Sequence, residues 1–414
     1  MPTLILVFNS GSSSLKYSLF DMAHQHPLIL AEGLVERIGE DSSDIIHSSR
    51  IGRSQDAPLV QTRRDVRLPD HAAALRAVAQ VFSETGDVAS AGTLVAVGHR
   101  VVHGGDRFAA PAVIDEAVLN AIRDCIPLAP LHNPANLLGI EVAMAENPDV
   151  PHVAVFDTAF HQSMPPAAYL YAIDLPTALA HQVRRYGFHG TSHAYVSRAA
   201  ARALGKPLEE FNAITLHLGN GASVAAIRSG VSVDTSMGMT PLAGLVMGTR
   251  TGDVDPGVIF HLVREAGMSI DEVDALFNKN SGLKGLCGDN DLRLVHARAK
   301  SGDEQASTAL DVYVHRLKQY LGAYLAVLGT VDAVVFTAGV GEHDAVVRER
   351  VCQGLSALGI EIDSELNATV IGPPVAVDVA TESSPVRVLV IPTAEEREIA
   401  NQSLQAVLAA GYSA

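Results

Sequence analysis

Two arginines stand in local sequences that could bind anions. Arg100 is followed closely by two glycines, and Arg250 lies in a loop dense in Gly, Thr, Asp and Pro. An arginine close to glycines can reach a carboxylate or a phosphoryl group and bind it through two hydrogen bonds. The alternative for each arginine is an ordinary surface ion pair. The partners for such pairs would be Asp106 for Arg100 and Asp253 for Arg250.

One carboxylate and two histidines are further candidates. Asp157 directly follows the apolar run 153–156, which predicts a carboxylate at the carboxyl edge of a sheet, with a helix N-cap as the alternative. His189 and His193 have the i, i+4 spacing of a metal-binding pair, but no Glu accompanies them and the residues between them predict a helix start. His189 is therefore a candidate contact for a phosphoryl group, with a core histidine as the alternative.

Two hairpins with small-residue turns could bind phosphate. Residues 4–21 contain an apolar run, a cluster of Asn, Gly and Ser, and a second alternating run, which predicts two strands joined by a turn. Such a turn exposes backbone N–H groups and hydroxyls to an anion, and Lys16 would add a positive charge. Residues 213–227 repeat the pattern. The repeat suggests a duplicated domain, although each hairpin alone could be an ordinary surface hairpin.

A third glycine-rich stretch, TAGVGEH, follows the apolar run 333–336. A strand, a GxG sequence and a helix from about Asp344 would be a frequent phosphate-binding arrangement, because helix amides point at the ligand. The chain contains neither GxGxxG nor GxxxxGK[ST]. These absences disfavour a Rossmann dehydrogenase and a P-loop kinase.

The C-terminal stretch PTAEEREIA predicts a capped helix after strand 386–391. Thr393 and Glu396 fit a capping box, with Thr393 as the N-cap and Glu396 at the third helical position. Glu395 has no such structural duty in this pattern. It is therefore the better candidate for chemistry, for example through a magnesium-bound water.

The elements that must position these residues alternate between strands and helices, which predicts an α/β fold. The apolar and amphipathic patterns place strands at 94–97, 153–156, 333–336 and 386–391, further strands within 32–66, and helices at 70–82, 115–123, 136–146 and along the stripe from Leu310 to Leu328.

Composition limits the class of protein. With 414 residues, 48% of them hydrophobic, the chain is long enough for two globular domains. A net charge of −16 argues against nucleic acid as a partner. The three cysteines form no CxxC pair, which indicates a reducing, cytoplasmic compartment without structural zinc. We expect neither a signal peptide nor a transmembrane segment.

Eight motifs together resemble the acetate kinase family, within the superfamily of acetate and sugar kinases, Hsp70 and actin. They occur in the family's order and at roughly its spacing over nearly the whole chain: FNSGSSSLKYSLF, GHRVVHGG, VFDTAFHQSMP, YGFHGTSH, HLGNGAS, DTSMGMTPLAGLVMGTRTGDVDPG, GVGEH and IPTAEE. The resemblance implies two duplicated actin-like (ribonuclease H-like) α/β domains with an active-site cleft between them. The first domain would comprise residues 1–150 and 385–414, and the second residues 151–384.

The resemblance also implies the reaction and its partners. The activity would be reversible transfer of the γ-phosphoryl group from ATP to acetate, giving acetyl phosphate and ADP. Mg²⁺ would be the metal, with Mn²⁺ as a substitute, and the protein would be a cytoplasmic homodimer. The alternatives are a propionate or butyrate kinase of the same family and a non-kinase ATP clamp of the Hsp70 or actin type.

Several site residues are carried over from the family. Asn9 and Glu395 would arrange the metal, mostly through water, and Lys16 and Ser12 would contact the nucleotide phosphates. The implied catalytic groups are Arg100 and Arg250 for acetate and phosphoryl binding, His189 for transition-state stabilisation, and Asp157 as the active-site acid.

Two binding surfaces are implied in the same way. The nucleotide residues would be His217, Leu218, Gly219, Asn220, Gly221, Asp291, Leu292, Arg293, Gly339, Val340, Gly341, Glu342 and His343. The pocket for the acetate methyl group would be lined by Val102, Leu131, Phe188 and Pro241. The family usually has Asn at the positions of His343 and Ala394, so the contact to the base and the surroundings of Glu395 depart from its pattern.

Overall fold

The chain forms two compact units in a computed structural model that describes residues 2–11, 13–24, 27–50, 57–85 and 88–412. The first unit comprises Met1–Ala159 and Ala394–Ala414, and the second comprises Phe160–Thr393. Ser12, a predicted phosphate contact, lies outside the described residues.

In the described residues, the first unit contains one mixed sheet and five α-helices. Its strands are β1 (Thr3–Ser10), β2 (Leu15–Asp21), β3 (Leu28–Glu36), β4 (Ser43–Ser49), β5 (Val60–Val66), β6 (Thr93–Val101), β7 (Ala112–Val113) and β8 (His152–Phe156). Its helices are α1 (His71–Thr85), α2 (Val88–Ala91), α3 (Glu116–Asp124), α4 (Asn133–Glu146) and, at the end of the chain, α16 (Glu395–Ala409).

The second unit contains a smaller sheet and the remaining helices. Its strands are β9 (Ala213–Leu218), β10 (Ala222–Arg228), β11 (Val231–Thr235), β12 (Ala333–Thr337), β13 (Val377–Asp378) and β14 (Arg387–Val390). Its helices are α5 (Pro166–Tyr169), α6 (Leu175–Ala180), α7 (Gly190–Ala203), α8 (Gly257–Glu265), α9 (Ile270–Lys279), α10 (Gly282–Cys287), α11 (Leu292–Lys300), α12 (Glu304–Leu328), α13 (Ala338–His343), α14 (Ala345–Cys352) and α15 (Ser364–Thr369).

The two sheets repeat one topology. The first has the order β5-β4-β3-β2-β1-β6-β8-β7, and the second has the order β11-β10-β9-β12-β14-β13. Each begins with an antiparallel meander, β1 to β5 in the first sheet and β9 to β11 in the second. In each, the first strand of the meander pairs in parallel with a second strand, which pairs in parallel with a third: β1, β6 and β8 in the first sheet, and β9, β12 and β14 in the second. The predicted hairpins at 4–21 and 213–227 are therefore confirmed, and so is the duplicated α/β architecture.

Strand β14 differs from the sequence-based domain assignment. It pairs in parallel with β12 and lies in the second unit. The resemblance implies instead that all of residues 385–414 belong to the first domain. The first segment of the first unit ends at residue 159, where the resemblance placed the end at 150. The second unit ends at residue 393, where the resemblance placed the end at 384.

Apolar faces of the helices cover both sheets. In α16, the residues Ile399, Ala400 and Val407 are buried with the apolar residues of β1 and β8. Gly98 on β6 permits this packing, since a Cβ there would lie 2.4 Å from Ser403 Oγ. The predicted stripe along α12 is buried from Leu310 to Leu328. Within the described ranges, no helix is long and apolar enough to cross a membrane.

The helix expected from about Asp344 is confirmed as α14, which begins at Ala345 with Asp344 as its N-cap. The GxG stretch before it is itself helical, because residues 338–343 form the short helix α13. Helix α13 starts directly after β12, with Ala338 in the left-handed region at φ 65°.

Candidate active site

The carboxyl ends of the parallel strands in the first unit gather a charged cluster. Phe8 is paired with His99 in the β1–β6 ladder, so the next residues, Asn9 and Arg100, lie side by side at this edge. Asp157 follows β8, whose Phe156 pairs with Val101. The carboxyl edge of parallel strands is the usual place for a binding site in an α/β sheet.

Arg100 and Asp157 form a two-pronged ion pair. Arg100 Nε donates to Asp157 Oδ1 at 2.9 Å, and Nη2 donates to Oδ2 at 2.7 Å. Arg100 Nη1 also lies 3.4 Å from Asn9 Oδ1. The Asp157 side chain is 3% exposed and that of Arg100 20%. The alternative of a surface pair between Arg100 and Asp106 was therefore wrong.

The first residue of α16, Glu395, adds a second carboxylate to this cluster. Burial would lower the pKa of Arg100, but the carboxylates of Asp157, Glu395 and Glu396 outweigh it and raise that pKa. Burial raises the pKa of Glu395, Arg100 and Lys16 act against the rise, and Asp157 adds to it. Glu395 thus lies within electrostatic reach of the other groups in the cluster.

The predicted capping box of α16 was wrong. The N-cap is Ala394 and has no side-chain hydrogen bond, and Glu395 is the first helical residue. The backbone N–H of Thr393 instead donates to Glu342 Oε1 at 2.8 Å. Glu342, predicted as a nucleotide contact, is buried and holds this backbone position.

Two oxygen-bearing side chains at this edge are the predicted ligands of a divalent cation held mainly through water. Asn9 and Glu395 carry hard oxygen atoms, the ligand type that Mg²⁺ prefers, whereas both Asp157 oxygens are bound to Arg100. Among the described residues, no three His, Cys, Asp or Glu side chains are grouped as a metal cluster would require. A small number of protein oxygens is typical of Mg²⁺, which keeps several of its waters.

In the second unit, an arginine and a histidine border the turn between β9 and β10. A Cβ built on Gly221 would lie 3.6 Å from Arg250 Nη1 and 3.7 Å from His189 Nε2. The guanidinium and the imidazole therefore face the same small space beside the Gly221 backbone. Both residues are partly buried.

Arg250 is bound to neutral atoms. Its Nη1 donates to Pro241 O at 3.1 Å and lies 3.8 Å from Met247 Sδ. No carboxylate in the described part of the chain lies at ion-pairing distance from it, and burial lowers the pKa of its guanidinium. Asp253, the expected surface partner, is bound instead to Arg316, Tyr320 and the backbone of Gly244.

His189 is held from three sides. It is the N-cap of α7 and has left-handed backbone angles, φ 57° and ψ 25°. Its ring stacks on that of His217, with centroids 4.2 Å apart and an interplanar angle of 21°. Its Nδ1 lies 2.9 Å from Ser223 Oγ. The ring orientation is therefore fixed by the backbone, the stack and a hydrogen bond.

A cavity of about 920 Å³ collects many of the predicted nucleotide residues. Eight of them line it, namely Gly219, Asn220, Asp291, Leu292, Arg293, Gly339, Val340 and His343. The other five, His217, Leu218, Gly221, Gly341 and Glu342, are not part of its lining. Asp291 caps α11 through the backbone N–H of Arg293 and also pairs with the exposed Arg293 guanidinium.

The remaining predicted contacts are divided between the two units. Lys16 is exposed on β2, opposite Asn9 in the β1–β2 ladder. Val102 is buried and Leu131 is 49% exposed in the first unit. Phe188 is buried in the second unit, where Pro241 provides the carbonyl that binds Arg250.

Sequence reasoning missed two features of the second unit. Ser223, which holds His189, was only one of many small residues in an apolar strand. The pair His296–Asp344, at 2.8 Å, lines the cavity, but its members come from separate helices and share no local pattern. An acidic residue directly before a helix was the only signal for Asp344, and it indicated the N-cap that Asp344 also provides.

The repeated sheet topology and the nucleotide-sized cavity lined by Gly219, Asn220 and Arg293 are typical of nucleotide-binding phosphotransferases built from two α/β units. Comparisons with known proteins agree with this class and identify one family within it. The sequence profile of the Acetokinase family matches residues 4–401. An acetate kinase of Streptomyces griseus is 56% identical over 406 residues, covering 98% of this chain and 97% of that protein.

Two solved structures are similar over the full chain length. Porphyromonas gingivalis acetate kinase has a TM-score of 0.89 and 41% identity, covering 98% of this chain and 100% of that chain. A propionate kinase from Francisella tularensis has a TM-score of 0.88 and 37% identity, covering 97% and 99%. The chain belongs to the acetokinase family.

Proposed function

We propose that this chain transfers the γ-phosphoryl group of ATP reversibly to acetate, giving acetyl phosphate and ADP. The observation that carries the proposal is Arg250, a partly buried guanidinium with no carboxylate partner among the described residues. It faces the same space as His189, beside the turn whose Gly219 and Asn220 line the nucleotide-sized cavity. A cation held ready without a counter-charge suits a transferred phosphoryl group.

The chemistry needs positioning more than activation. A carboxylate is already ionised at neutral pH, so the acceptor requires no strong general base. An in-line phosphoryl transfer is accelerated mainly by orientation and by neutralisation of charge on the phosphoryl oxygens. Arg250 and His189 would donate hydrogen bonds to those oxygens. Arg100, oriented by Asp157, would bind the acetate carboxylate.

The cofactors follow from the same chemistry. A kinase uses a nucleoside triphosphate and a divalent cation, and we propose ATP and Mg²⁺, with Mn²⁺ as a substitute. Asn9 and Glu395 would hold the cation through its waters, and the bound cation would supply charge neutralisation on the phosphates. The homodimer expected from the resemblance stays a prediction, which analytical ultracentrifugation would test.

Substrate size limits what this site can achieve. Acetate has about four heavy atoms, and a ceiling of about 1.5 kcal/mol for each gives at most about 6 kcal/mol of binding free energy. That corresponds to a dissociation constant no lower than tens of micromolar, roughly. One extra methylene changes the free energy by only about 1–3 kcal/mol, so rejection of propionate should be modest.

Because a solved propionate kinase is similar to this chain, phosphorylation of propionate is the alternative function to be tested first. The test is incubation with ATP, Mg²⁺ and acetate, propionate or butyrate, followed by trapping of the acyl phosphate with hydroxylamine. We expect acetate to give the highest kcat/KM, with propionate about 10- to 200-fold lower. Equal or higher kcat/KM for propionate or butyrate would assign the chain to the longer acid, and no trapped product with any acid would reject the kinase proposal.

A further inference from the structure

The i, i+4 histidines at the start of α7 share a single hydroxyl group. Ser223 Oγ on β10 lies 2.9 Å from His189 Nδ1 and 2.8 Å from His193 Nε2. The spacing that suits a metal pair in sequence is therefore occupied by a serine bridge. His193 and Ser223 are both fully buried, at 0% exposure.

A second hydroxyl extends this bridge into the core. Thr215 Oγ1 on β9 lies 2.7 Å from His193 Nδ1 and is also fully buried. In the antiparallel β9–β10 ladder, Thr215 pairs with Ala225, two residues along from Ser223. Residues two apart on a strand face the same side of the sheet, so both hydroxyls face α7.

The hydrogen atoms of this chain of groups are coupled. A serine hydroxyl has one proton to donate and lone pairs to accept with. When Ser223 donates to His189 Nδ1, it accepts from His193 Nε2–H, and Thr215 donates to His193 Nδ1. When His189 carries a proton on Nδ1 and donates it to Ser223, Ser223 donates to His193 Nε2. Both arrangements keep His189 Nδ1 engaged, and they differ in the tautomers of both histidines. In the first His189 carries its proton on Nε2 and can donate it to a phosphoryl oxygen, whereas in the second only a doubly protonated His189 can do so.

The engaged Nδ1 determines where the opposite ring nitrogen points. His189 Nε2 and the neighbouring Cε1 both border the space beside Gly221 that Arg250 also faces, each 3.7 Å from a Cβ built there. The stack on His217 fixes the ring plane but would allow the ring to turn over within it. A turned ring would place carbon against Ser223 and lose the hydrogen bond, so Ser223 selects one of the two orientations.

We infer that Ser223, supported by His193, is a positioning residue that aims His189 Nε2 at the transferred phosphoryl group. The inference rests on the proposed function, because it assigns Ser223 a duty in that reaction. Catalytic side chains need their own rotamers held by such supporting hydrogen bonds, since small misplacements lower the rate of the chemical step.

The test compares Ser223→Ala with a matched control, Ser232→Ala. Ser232 is also fully buried, and its hydroxyl lies 2.7 Å from another buried histidine nitrogen, His161 Nδ1. We expect Ser223→Ala to lower kcat about 10-fold with the KM values for ATP and acetate nearly unchanged. Ser232→Ala should lower the melting temperature by a similar amount and leave kcat unchanged.

A spectroscopic measurement separates this inference from the proposed function. In protein labelled with ¹⁵N-histidine, the Nδ1 resonance of His189 can be assigned by its absence from His189→Gln. We expect Ser223→Ala to shift that resonance and Ser232→Ala to leave it in place. This readout requires no activity, so an inactive wild-type protein would reject the kinase proposal and leave the bridge testable.

Two results would overturn the inference. One is an unshifted His189 Nδ1 resonance in Ser223→Ala. The other is a kcat for Ser223→Ala within about twofold of the wild type, or reduced no further than in Ser232→Ala. If Ser223→Ala fails to fold, Thr215→Val removes only the distal hydroxyl, and the same shift with a smaller loss of kcat is expected from it. An unchanged resonance and kcat in Thr215→Val would then reject the coupling.

Discussion

Arg100 and Arg250 are both partly buried, yet their surroundings differ in charge. Arg100 in the first unit makes a two-pronged ion pair with Asp157 and lies in the field of Glu395 and Glu396. Arg250 in the second unit binds a backbone carbonyl and a thioether, and no described carboxylate pairs with it. The charge of Arg100 is neutralised by the protein, whereas that of Arg250 has no counter-charge among the described residues.

The difference agrees with the proposed roles, in which Arg100 orients the acetate and Arg250 stabilises charge on the phosphoryl group. A paired guanidinium has a fixed direction but little net charge to offer, so Arg100 suits the recognition of a planar carboxylate. A guanidinium without a counter-charge in a partly desolvated site offers more stabilisation to a developing negative charge. In the absence of ligand, burial of such a guanidinium without a counter-charge makes an unfavourable contribution to the free energy of folding.

The largest expected effect on stability comes from the paired arginine. In Asp157→Ala, the guanidinium of Arg100 loses its main counter-charge inside the protein, which should lower the free energy of unfolding by about 3–5 kcal/mol. Arg250→Ala leaves no opposite charge behind, so we expect a change within about 1 kcal/mol of the wild type. Urea unfolding followed by far-UV circular dichroism measures both, since the chain has no tryptophan.

The matched control for these variants is Arg316→Ala. Arg316 pairs with Asp253 at 3.1 Å, with side chains 30% and 40% exposed. An exposed pair of this kind contributes about 0–1 kcal/mol. Equal decreases in the free energy of unfolding for Asp157→Ala and Arg250→Ala would mean that both arginines have a counter-charge in the protein, which would contradict the difference between their surroundings.

A smaller effect on the free energy of unfolding is expected at acidic pH, and it should not depend on Arg100 or Arg250. Burial, reinforced by Arg64, lowers the pKa of His47 to about 4, and burial beside His152 lowers the pKa of His99. The native state keeps these rings neutral while the unfolded chain takes up protons below about pH 6.5. The free energy of unfolding should therefore fall as pH decreases from about 6.5 towards 4.

Both arginines stay protonated over this range, because a guanidinium loses its proton only at far higher pH. We expect the difference in unfolding free energy between wild type and Arg250→Ala to stay constant from about pH 7 to pH 5. His47→Gln should flatten the pH dependence in urea titrations. A steeper fall in stability for His47→Gln than for the wild type would contradict the assigned direction of the His47 pKa.

Local patterns predicted the elements of the fold well. The apolar runs around the small-residue turns predicted both hairpins, and the apolar stripe from Leu310 to Leu328 predicted helix α12. Strand periodicity and turn composition are properties of neighbouring residues. The duplication, inferred from two similar hairpins, is confirmed by the common strand order of the two sheets.

Contacts between distant residues were beyond such patterns. The sequence offered the nearby Asp106 as an ion-pair partner for Arg100. The structure pairs Arg100 with Asp157 instead, because the parallel register of β6 and β8 brings Asp157 to the same edge of the sheet. The capping box at Thr393 matched a local motif, but the tertiary contact of Thr393 N–H with Glu342 took its place. Ser223 gave no signal because its duty depends on the packing of α7 against the β9–β10 hairpin.

In the proposed reaction, Arg250 binds the transferred phosphoryl group with a charge that no described carboxylate neutralises. The direct measurement is the single-turnover rate of acetyl phosphate formation in Arg250→Ala, read by hydroxylamine trapping, together with its dissociation constant for ATP. We expect the rate to fall by about 10²–10³ and ATP binding to change by less than about threefold, while Arg316→Ala matches the wild type in both. An unchanged single-turnover rate in Arg250→Ala would contradict the account.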